Sequence, residues 1–260
     1  MAASGGWDGR FGVIQPGWHL YLGAVGPANE HAHHAIQVVL SDTPMVLQDS
    51  GGYQRRCTAA VIPANAPHTI VKGAAEAVML YLEPEGTAGR TVSGRWCSDP
   101  GSIDTWTSAA NGLTNIRPGQ DKAWARTPES LAVNILGVLG VADTHLRGDT
   151  VHPAVGRALR SLPDMLDGPV RLADVGAEVG LSASRLRHLF AGQVGLPFRR
   201  YVLWLRLQRA ADEVLGGASL TEAAHAAGFA DSSHLTKVTH RTFGLPPSTL
   251  VKAVTPLVPD

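Results

Sequence analysis

The hydrophobic positions of the chain follow two periods, one typical of strands and one typical of helices. Between about residues 11 and 82, short runs of β-branched and aromatic residues are separated by Gly, Pro, Asn and Asp, which predicts short strands joined by turns. Several such strands without intervening helices favour a β-sandwich or a small barrel. The predicted strands are Trp18–Leu22, Ile36–Leu40, Met45–Leu47, Ala59–Ile62, His68–Val71 and Ala77–Leu82.

The middle of the chain changes from loop to helix. Residues 98–127 are rich in Gly, Ser, Asn and Asp and predict loop and short turns, with Trp106 and Trp124 packed onto the barrel. A helix is then expected from Thr127 to about Val141, because apolar residues recur there at helical spacing. Its apolar stripe either packs against the barrel or forms a dimer seam. The stripe consists of Leu131, Ile135, Val138 and Leu139.

A second helix and a domain boundary follow. The spacing predicts a helix from about Val151 to Leu166, with residues 146–150 before it as a hinge. The domain boundary therefore falls near residue 150. The amino-terminal part, residues 1–150, comprises the barrel with linker helices, and residues 151–260 form a helical domain.

The helical domain contains two copies of one arrangement, a helix, a glycine turn and a second helix. The copies span Val170–Phe190 and Ala218–Phe243, and the polar caps of their second helices, Ser182 and Asp231, are 49 residues apart. This arrangement is typical of a helix-turn-helix unit, which places its second helix in the major groove of DNA. Two units in one short segment make a DNA-binding domain the favoured interpretation.

A long helix is predicted between the two units, over Phe198–Leu215. At about 1.5 Å of rise per residue, this helix is roughly 27 Å long. Successive major-groove faces of B-DNA lie about 34 Å apart. The connecting helix is therefore long enough to hold two recognition helices in neighbouring grooves on one side of the duplex.

These landmarks resemble the AraC-type family of bacterial transcription regulators over roughly 90 residues. One departure is Thr239, because family members usually carry a core phenylalanine at this position, one helical turn before Phe243. The departure implies a less tightly packed second unit with a weaker DNA contact. The matching segments are Gly180–Phe190, Gly195–Phe198, Tyr201, Arg206–Ala210, Ala227–Phe229, Ser233–Leu235 and Phe243–Pro247.

The outward faces of the two recognition helices supply the candidate DNA contacts. Arginine donates two hydrogen bonds to guanine O6 and N7, which makes Arg187 the best candidate for a specific contact. The alternative is a merely solvated charged face. Candidate base-reading residues, which also match the family motif, are Ser184, Arg187, His188, Ser232, Ser233 and Lys237. Candidates at the rim are Arg185, His234 and Thr236, and candidate phosphate contacts are Arg199, Arg200 and Arg241.

Charge and composition add moderate support. The formal net charge is zero, but residues 1–149 hold 10 Lys and Arg against 13 Asp and Glu, a balance of −3, whereas residues 150–260 hold 12 against 9, a balance of +3. Cys57 and Cys97 form no CxxC pair, no apolar run approaches the roughly 20 residues of a membrane span, and no signal peptide is evident. We therefore expect a soluble, cytoplasmic protein.

Histidines in the amino-terminal part suggest a ligand site. His31-Ala-His33 followed by Gln37, and Pro63 followed by His68, resemble the paired motifs of cupin barrels. In those motifs a glycine stands where this chain has Asn65. The resemblance implies that His31, His33, Gln37 and His68 converge on a divalent ion, for which imidazole and amide ligands favour Zn, Ni, Fe or Mn.

A metal-free alternative stays open for this site. AraC-type regulators commonly carry a cupin-like sensing domain in which the histidine pattern persists without a metal. The pocket then binds a small organic ligand, and the histidines supply hydrogen bonds.

The expected fold class is α+β, with an amino-terminal cupin-like β-barrel followed by an all-α DNA-binding domain. The expected function is a transcription regulator, not an enzyme, whose promoter binding is controlled by a small molecule or metal in the barrel. RNA polymerase and a second copy of the chain are further candidate partners. The alternative is a metal-dependent cupin enzyme with a helical appendage, but nothing places Glu76 or Glu83, the nearest carboxylates, with the histidines. A regulator that has lost its sensing role is a third possibility.

Overall fold

The amino-terminal part of the chain folds into one curled sheet. The computed structural model describes residues 6–15, 17–84, 86–95, 99–116, 127–141, 152–194, 197–249 and 254–256. Within them, eight strands are arranged in the order β3-β6-β4-β7-β2-β1-β8, and β5 pairs with β4. The strands are β1 Asp8–Gln15, β2 Trp18–Val25, β3 Ala28–His31, β4 Ile36–Asp49, β5 Gln54–Ile62, β6 His68–Lys72, β7 Ala74–Leu82 and β8 Val254–Pro256.

This sheet, called the half-barrel below, differs from the prediction in three places. The two predicted strands between Ile36 and Leu47 form one long strand, β4, whose register with β5 shifts between Leu40 and Met45. β1 and β3 lie outside the predicted runs. β8 comes from the carboxy-terminal end of the chain and pairs in parallel with β1. The predicted α+β class is confirmed, with an open, curled sheet instead of a closed barrel.

Among the described residues, three α-helices accompany the half-barrel. They are α1 Thr87–Ser93, α2 Ile103–Ala109 and α3 Pro128–Val138. The prediction of loop and short turns over residues 98–127 missed α2, whose first backbone N–H, on Ile103, donates to Asp49 Oδ2 at 3.1 Å. Because Asp49 lies on β4, far from α2 in the sequence, no local pattern predicts this hydrogen bond. Trp106 is fully buried, as expected, whereas Trp124 and the predicted hinge lie outside the described residues.

The apolar stripe of α3 packs against the sheet. Leu131, Ile135 and Leu139 are buried in one cluster with sheet residues such as Leu20 and Ile36. These side chains are therefore unavailable as a dimer seam. The prediction that Val138 points inward is wrong, since this last residue of α3 is 42% exposed and its Cγ1 lies beside Gly112 instead of the core.

The carboxy-terminal part is helical, as predicted. The connecting helix has the predicted bounds, and the helix predicted from residue 151 to 166 ends earlier, with a 3₁₀ turn over Leu162–Met165. Its helices are α4 Pro153–Ser161, α5 Leu172–Val179, α6 Ala183–Val194, α7 Phe198–Leu215, α8 Leu220–Ala226 and α9 Ser232–Phe243. The first unit below is α5 with α6, the second unit is α8 with α9, and α7 connects them.

Candidate functional site

The first unit presents α6 as its exposed recognition helix. Gly180 ends α5 in the left-handed conformation with φ of 76°, which favours glycine, and the Ser182 hydroxyl accepts a hydrogen bond from Arg185 N at 3.2 Å, so it caps α6 as predicted. Leu186 and Phe190 are fully buried. The residues predicted to contact DNA therefore lie on the opposite face, where they are exposed to solvent. The exposed residues are Ser184, Arg185, Arg187 and His188.

The second unit repeats this design. Ser219 and Glu222 form the predicted capping box of α8, and Asp231 caps α9 by accepting from His234 N at 2.6 Å. Ser232 and Thr236 are half-buried, and the Thr236 hydroxyl donates to the Ser232 carbonyl at 2.8 Å. The predicted DNA-contact residues of α9 that are exposed are Ser233, His234, Lys237 and Arg241.

The three arginines predicted to contact phosphates occupy two environments. Arg199 is exposed near the start of α7. Arg200 and Arg241 are also exposed, but they line a cavity of about 330 Å³ between the half-barrel and the helical part, together with Trp204 and Glu83. This cavity is called the arginine pocket below. Glu83 and His33 both line this cavity.

The predicted histidine site is assembled on the sheet. His31, His33 and His68, called the histidine cluster below, each offer one ring nitrogen, and these atoms lie within 4.8 Å of one another. Gln37 Oε1 lies 2.8 Å from His33 Nε2 and 3.1 Å from His68 Nε2. The structure therefore brings together all four residues that the sequence singled out. Asn65 has a φ of 60°, a conformation that asparagine tolerates, where the cupin motif has glycine.

The hydrogen bonds of the cluster define which atoms face its centre. The Nδ1 atoms of the three histidines lie 2.8–2.9 Å from the carbonyl oxygens of Asn29, Ala35 and Ala66. A carbonyl only accepts, so each Nδ1–H donates, and the Nε2 of a neutral imidazole carries a lone pair. Gln37 Oε1 is also an acceptor. Several acceptors therefore converge on one small space.

Two features keep this acceptor set in place. Burial lowers the pKa of His31 to about 4, lowers that of His33, and, with the neighbouring imidazoles, holds that of His68 well below its ordinary value, so the rings are neutral. The Gln37 amide N–H donates to Met79 Sδ at 3.2 Å. Reversing the amide would place its oxygen against this sulfur, which is an acceptor too. The arrangement suits a cation at the centre.

The cluster opens into a cavity shared with the second unit. This histidine pocket has a volume of about 130 Å³. The half-barrel contributes Tyr21, His31, His33, Gln37 and Tyr81, among others. The opposite wall belongs to the helical part and comprises Leu207, Ala210, Ala211, Val214, Leu220, Leu235, Thr239, Thr242, Phe243, Leu245 and Pro247. A ligand in this cavity would touch both parts at once.

Direct contacts hold the two parts together beside the pocket. Trp204 of α7 lies edge-on to His19 and Phe11, with ring centres 5.0 and 5.2 Å apart. Asn29 N donates to the carbonyl of Gly244, the residue that ends α9, at 3.3 Å. Leu245 is buried in a cluster of half-barrel side chains. The end of the second recognition helix therefore rests on the strand that carries His31.

Some residues of the site depend on strand register and do not show in the sequence pattern. Tyr81 and Met79 join the site because β7 pairs with β4, which places Tyr81 opposite Gln37. Leu245 joins the histidine pocket, and Trp204 joins the arginine pocket, through contacts between distant parts of the chain. An apolar residue directly after the Gly244 cap was the one available signal.

The match to a known family falls on the helical part. Residues 175–253 match the family model described as a helix-turn-helix domain. No curated protein sequence matches the chain. Within the described residues, no helix is long and apolar enough to cross a membrane.

Solved structures of similar proteins include a transcriptional regulator with an AraC-type DNA-binding domain from Chromobacterium violaceum, with 26% identity over 37% of this chain and 87% of that one and a TM-score of 0.35. Another is ToxT from Vibrio cholerae, with 12% identity over 93% and 99% of the two chains and a TM-score of 0.47. A third is the C-terminal domain of AraT, a response regulator from Geobacillus stearothermophilus, with 17% identity over 42% and 92% and a TM-score of 0.38.

Two capped helix-turn-helix units on one connecting helix define a DNA-binding domain. The chain therefore carries the DNA-binding helix-turn-helix domain that the sequence motifs indicated.

Proposed function

We propose that the protein is a transcription regulator whose promoter binding is controlled by a small molecule or metal held in the half-barrel. The observation that carries this proposal is the histidine pocket, which the sheet and the second helix-turn-helix unit line together. A ligand that contacts both parts favours the arrangement in which they meet over any other. The proposed division is a sensing domain over residues 1–150 and a DNA-binding domain over residues 151–260.

The proposed DNA contacts follow from exposure and position. The predicted base-reading residues of α6 are exposed on the face opposite Leu186 and Phe190, and most of those of α9 are exposed opposite Leu235. Arg199 is proposed to contact phosphate. Arg200 and Arg241 are proposed to contact phosphate from the rim of the arginine pocket. Their DNA contacts then depend on how the half-barrel packs against the helical part.

Arg187→Ala tests the base-reading role. We expect a loss of about 1–3 kcal/mol in binding free energy on DNA selected from a random pool, with relaxed preference at one base position. The matched control is Arg199→Ala, which should weaken binding to all sequences and reduce its salt dependence. Equal losses for Arg187→Ala on selected and unrelated duplexes would exclude a base contact. Fluorescence anisotropy with both duplexes measures the difference.

A divalent metal in the histidine cluster is the second element of the proposal. Three neutral imidazoles and one amide oxygen converge, and each imidazole is oriented through its Nδ1–H by a backbone carbonyl. Such second contacts fix the ring orientation of metal-binding histidines. His31, His33, Gln37 and His68 would hold Zn, Ni, Fe or Mn, because imidazole and oxygen ligands suit these ions.

Metal content tests this element. We expect near-stoichiometric transition metal in the purified wild type by plasma mass spectrometry, and its loss in the double variant His31→Ala/His68→Ala. His34→Ala is the matched control, since His34 is not among the three clustered histidines, and it should keep the metal. A wild type that stays empty after reconstitution would reduce the histidines to hydrogen-bonding residues of an organic-ligand pocket.

We propose no catalytic step. The described residues that line the histidine pocket include no carboxylate, and Glu76 is exposed, whereas Glu83 lines the arginine pocket together with His33. The proposed partners are promoter DNA and the effector, with RNA polymerase and a second copy of the chain as further partners. A regulator of this kind acts in the cytoplasm, where it meets DNA.

A further inference from the structure

The two helix-turn-helix units differ at one core position. With the caps Ser182 and Asp231 aligned, the 49-residue offset places Leu186 opposite Leu235 and Phe190 opposite Thr239. Both members of each pair are buried, with 0% and 3% exposure for Phe190 and Thr239. The second unit therefore has a small polar side chain where the first has an aromatic ring.

The ring of Phe190 fills the core of the first unit. It packs edge-on against Phe198 and Tyr201, with ring centres 5.4 and 5.3 Å apart. At the equivalent place in the second unit, the Thr239 hydroxyl donates to the Leu235 carbonyl at 2.8 Å within its own helix, so it requires no partner beyond α9.

The histidine pocket reaches this place in the second unit. Thr239 and Leu235 line it, as do Leu207 and Ala210, which belong to the buried core of the second unit. The core of the second unit is thus open on the side that faces the histidine cluster.

We infer that an apolar group of the effector enters this space and completes the core of the second unit, while a hydroxyl on the effector binds the histidine cluster. The inference rests on the proposed function and adds the class of ligand and its action. An apolar cavity of about 150 Å³ holds a benzene molecule, so a cavity of about 130 Å³ takes a ring or a short alkyl chain.

The lining also defines the charge of the ligand. No Lys, Arg, Asp or Glu is among the described residues that line the histidine pocket, so a charged group held within it would be buried without a counter-charge. Arg200, Arg241 and Glu83 line the adjoining arginine pocket, which shares His33 and Tyr81 with it. Neutral imidazoles accept a hydrogen bond from a hydroxyl, and a metal held by them would bind the same oxygen. The ligand class is therefore an alcohol or phenol with a compact apolar body.

Completing the core favours the folded second unit. A ligand that binds only the folded unit stabilises it by mass action. DNA binding by α9 then strengthens, because a well-ordered recognition helix loses less conformational freedom on binding. The first unit, whose core already contains Phe190, does not respond.

The decisive variant is Thr239→Phe in the full chain. We expect slower amide hydrogen exchange in α8 and α9 without ligand, unchanged exchange in α5 and α6, and affinity for the selected DNA raised by about 5–150-fold, the usual range of coupling between two sites. Thr221→Phe is the matched control, since Thr221 is exposed on α8 outside the pocket. Thr239→Met repeats the test with a flexible side chain if a ring does not fit.

The ligand class is tested with 4-propylphenol, in EDTA and with added Zn²⁺. The inference is supported if the phenol slows amide hydrogen exchange of α8 and α9 in wild type in either condition and has no such effect in Thr239→Phe. Exchange in α8 and α9 that is unchanged or faster in both Thr239→Phe and Thr239→Met would overturn it. A phenol effect of equal size in wild type and Thr239→Phe would also overturn it, while leaving the proposed ligand control of DNA binding intact. No phenol effect on wild type in either condition would overturn the ligand class.

Discussion

Replacing Phe190 with alanine is expected to lower the free energy of unfolding of the DNA-binding domain by about 3–5 kcal/mol, the usual effect of removing a fully buried phenylalanine. The side chain is 0% exposed and lies among Leu186, Val175 and Val179 in the core of the first unit. Its loss removes the ring contacts with Phe198 and Tyr201 and leaves a cavity. Because α6 carries Arg187, sequence-specific DNA binding should weaken as well.

Urea unfolding followed by helical circular dichroism measures this effect. The matched control is Glu178→Ala on α5, which changes an exposed side chain and should stay within about 0.5 kcal/mol of wild type. A loss of less than about 1 kcal/mol in Phe190→Ala would contradict the packing described for the first unit.

Acid is expected to destabilise the protein strongly between pH 6.5 and about 4. Burial lowers the pKa of His19 from 6.5 to about 4, and burial likewise lowers that of His31 to about 4. Above pH 6.5 each ring is neutral in both the folded and the unfolded chain. As the pH falls, the unfolded chain takes up protons that the folded protein does not, so stability decreases.

The size of this effect follows from the pKa difference. About 2.5 pH units at 1.36 kcal/mol each gives roughly 3 kcal/mol for each histidine, and the decrease is complete near pH 4. His19 is the cleaner reporter, because it packs on Phe11 and Trp204 and lies outside the histidine cluster.

The measurement is a series of urea midpoints from pH 7.5 to 4.5 in EDTA. His19→Phe keeps an aromatic ring but cannot titrate. In this variant, the free energy of unfolding should fall with pH by only about half of the amount expected from the two histidines together. His188→Gln, which changes an exposed histidine, should retain the full pH dependence of wild type. Equal stability of wild type at pH 7 and pH 5 would contradict the buried, neutral state of these histidines.

The helical half of the fold could be predicted closely because its signals are local. Ser219 and Glu222 are three residues apart, and Asp231 caps an N–H three residues away, so the pattern and the contact lie in the same short segment. The connecting helix has the bounds that its apolar spacing predicted. Among the described residues, the end of α4 was misplaced, where Pro163 falls within a 3₁₀ turn.

The half-barrel was predicted less completely because its contacts are distant in sequence. β8 pairs with β1 across more than 240 residues, and α2 begins at a carboxylate on β4, so neither shows in a local pattern. The candidate histidine site was found by motif, since His31, His33 and Gln37 share one short segment. The helical side of the histidine pocket forms because α9 packs on β3, and no residue spacing in the sequence predicts this contact.

Thr239 shows how a departure from a sequence pattern gains meaning in three dimensions. From the sequence, it implied a loosely packed second unit. In the structure, Thr239 is buried and lines the histidine pocket, so the space beside it belongs to a cavity shared with the half-barrel.

The most direct test of DNA recognition by both units is a hydroxyl-radical footprint of the full chain on DNA selected from a random pool. We expect a common selected sequence with two protected patches on one face of the duplex, about one helical turn apart, one for each recognition helix. Arg187→Ala should weaken the patch of the first unit. Failure to select any common sequence, or protection spread evenly along the duplex, would contradict a regulator that reads DNA through its two helix-turn-helix units.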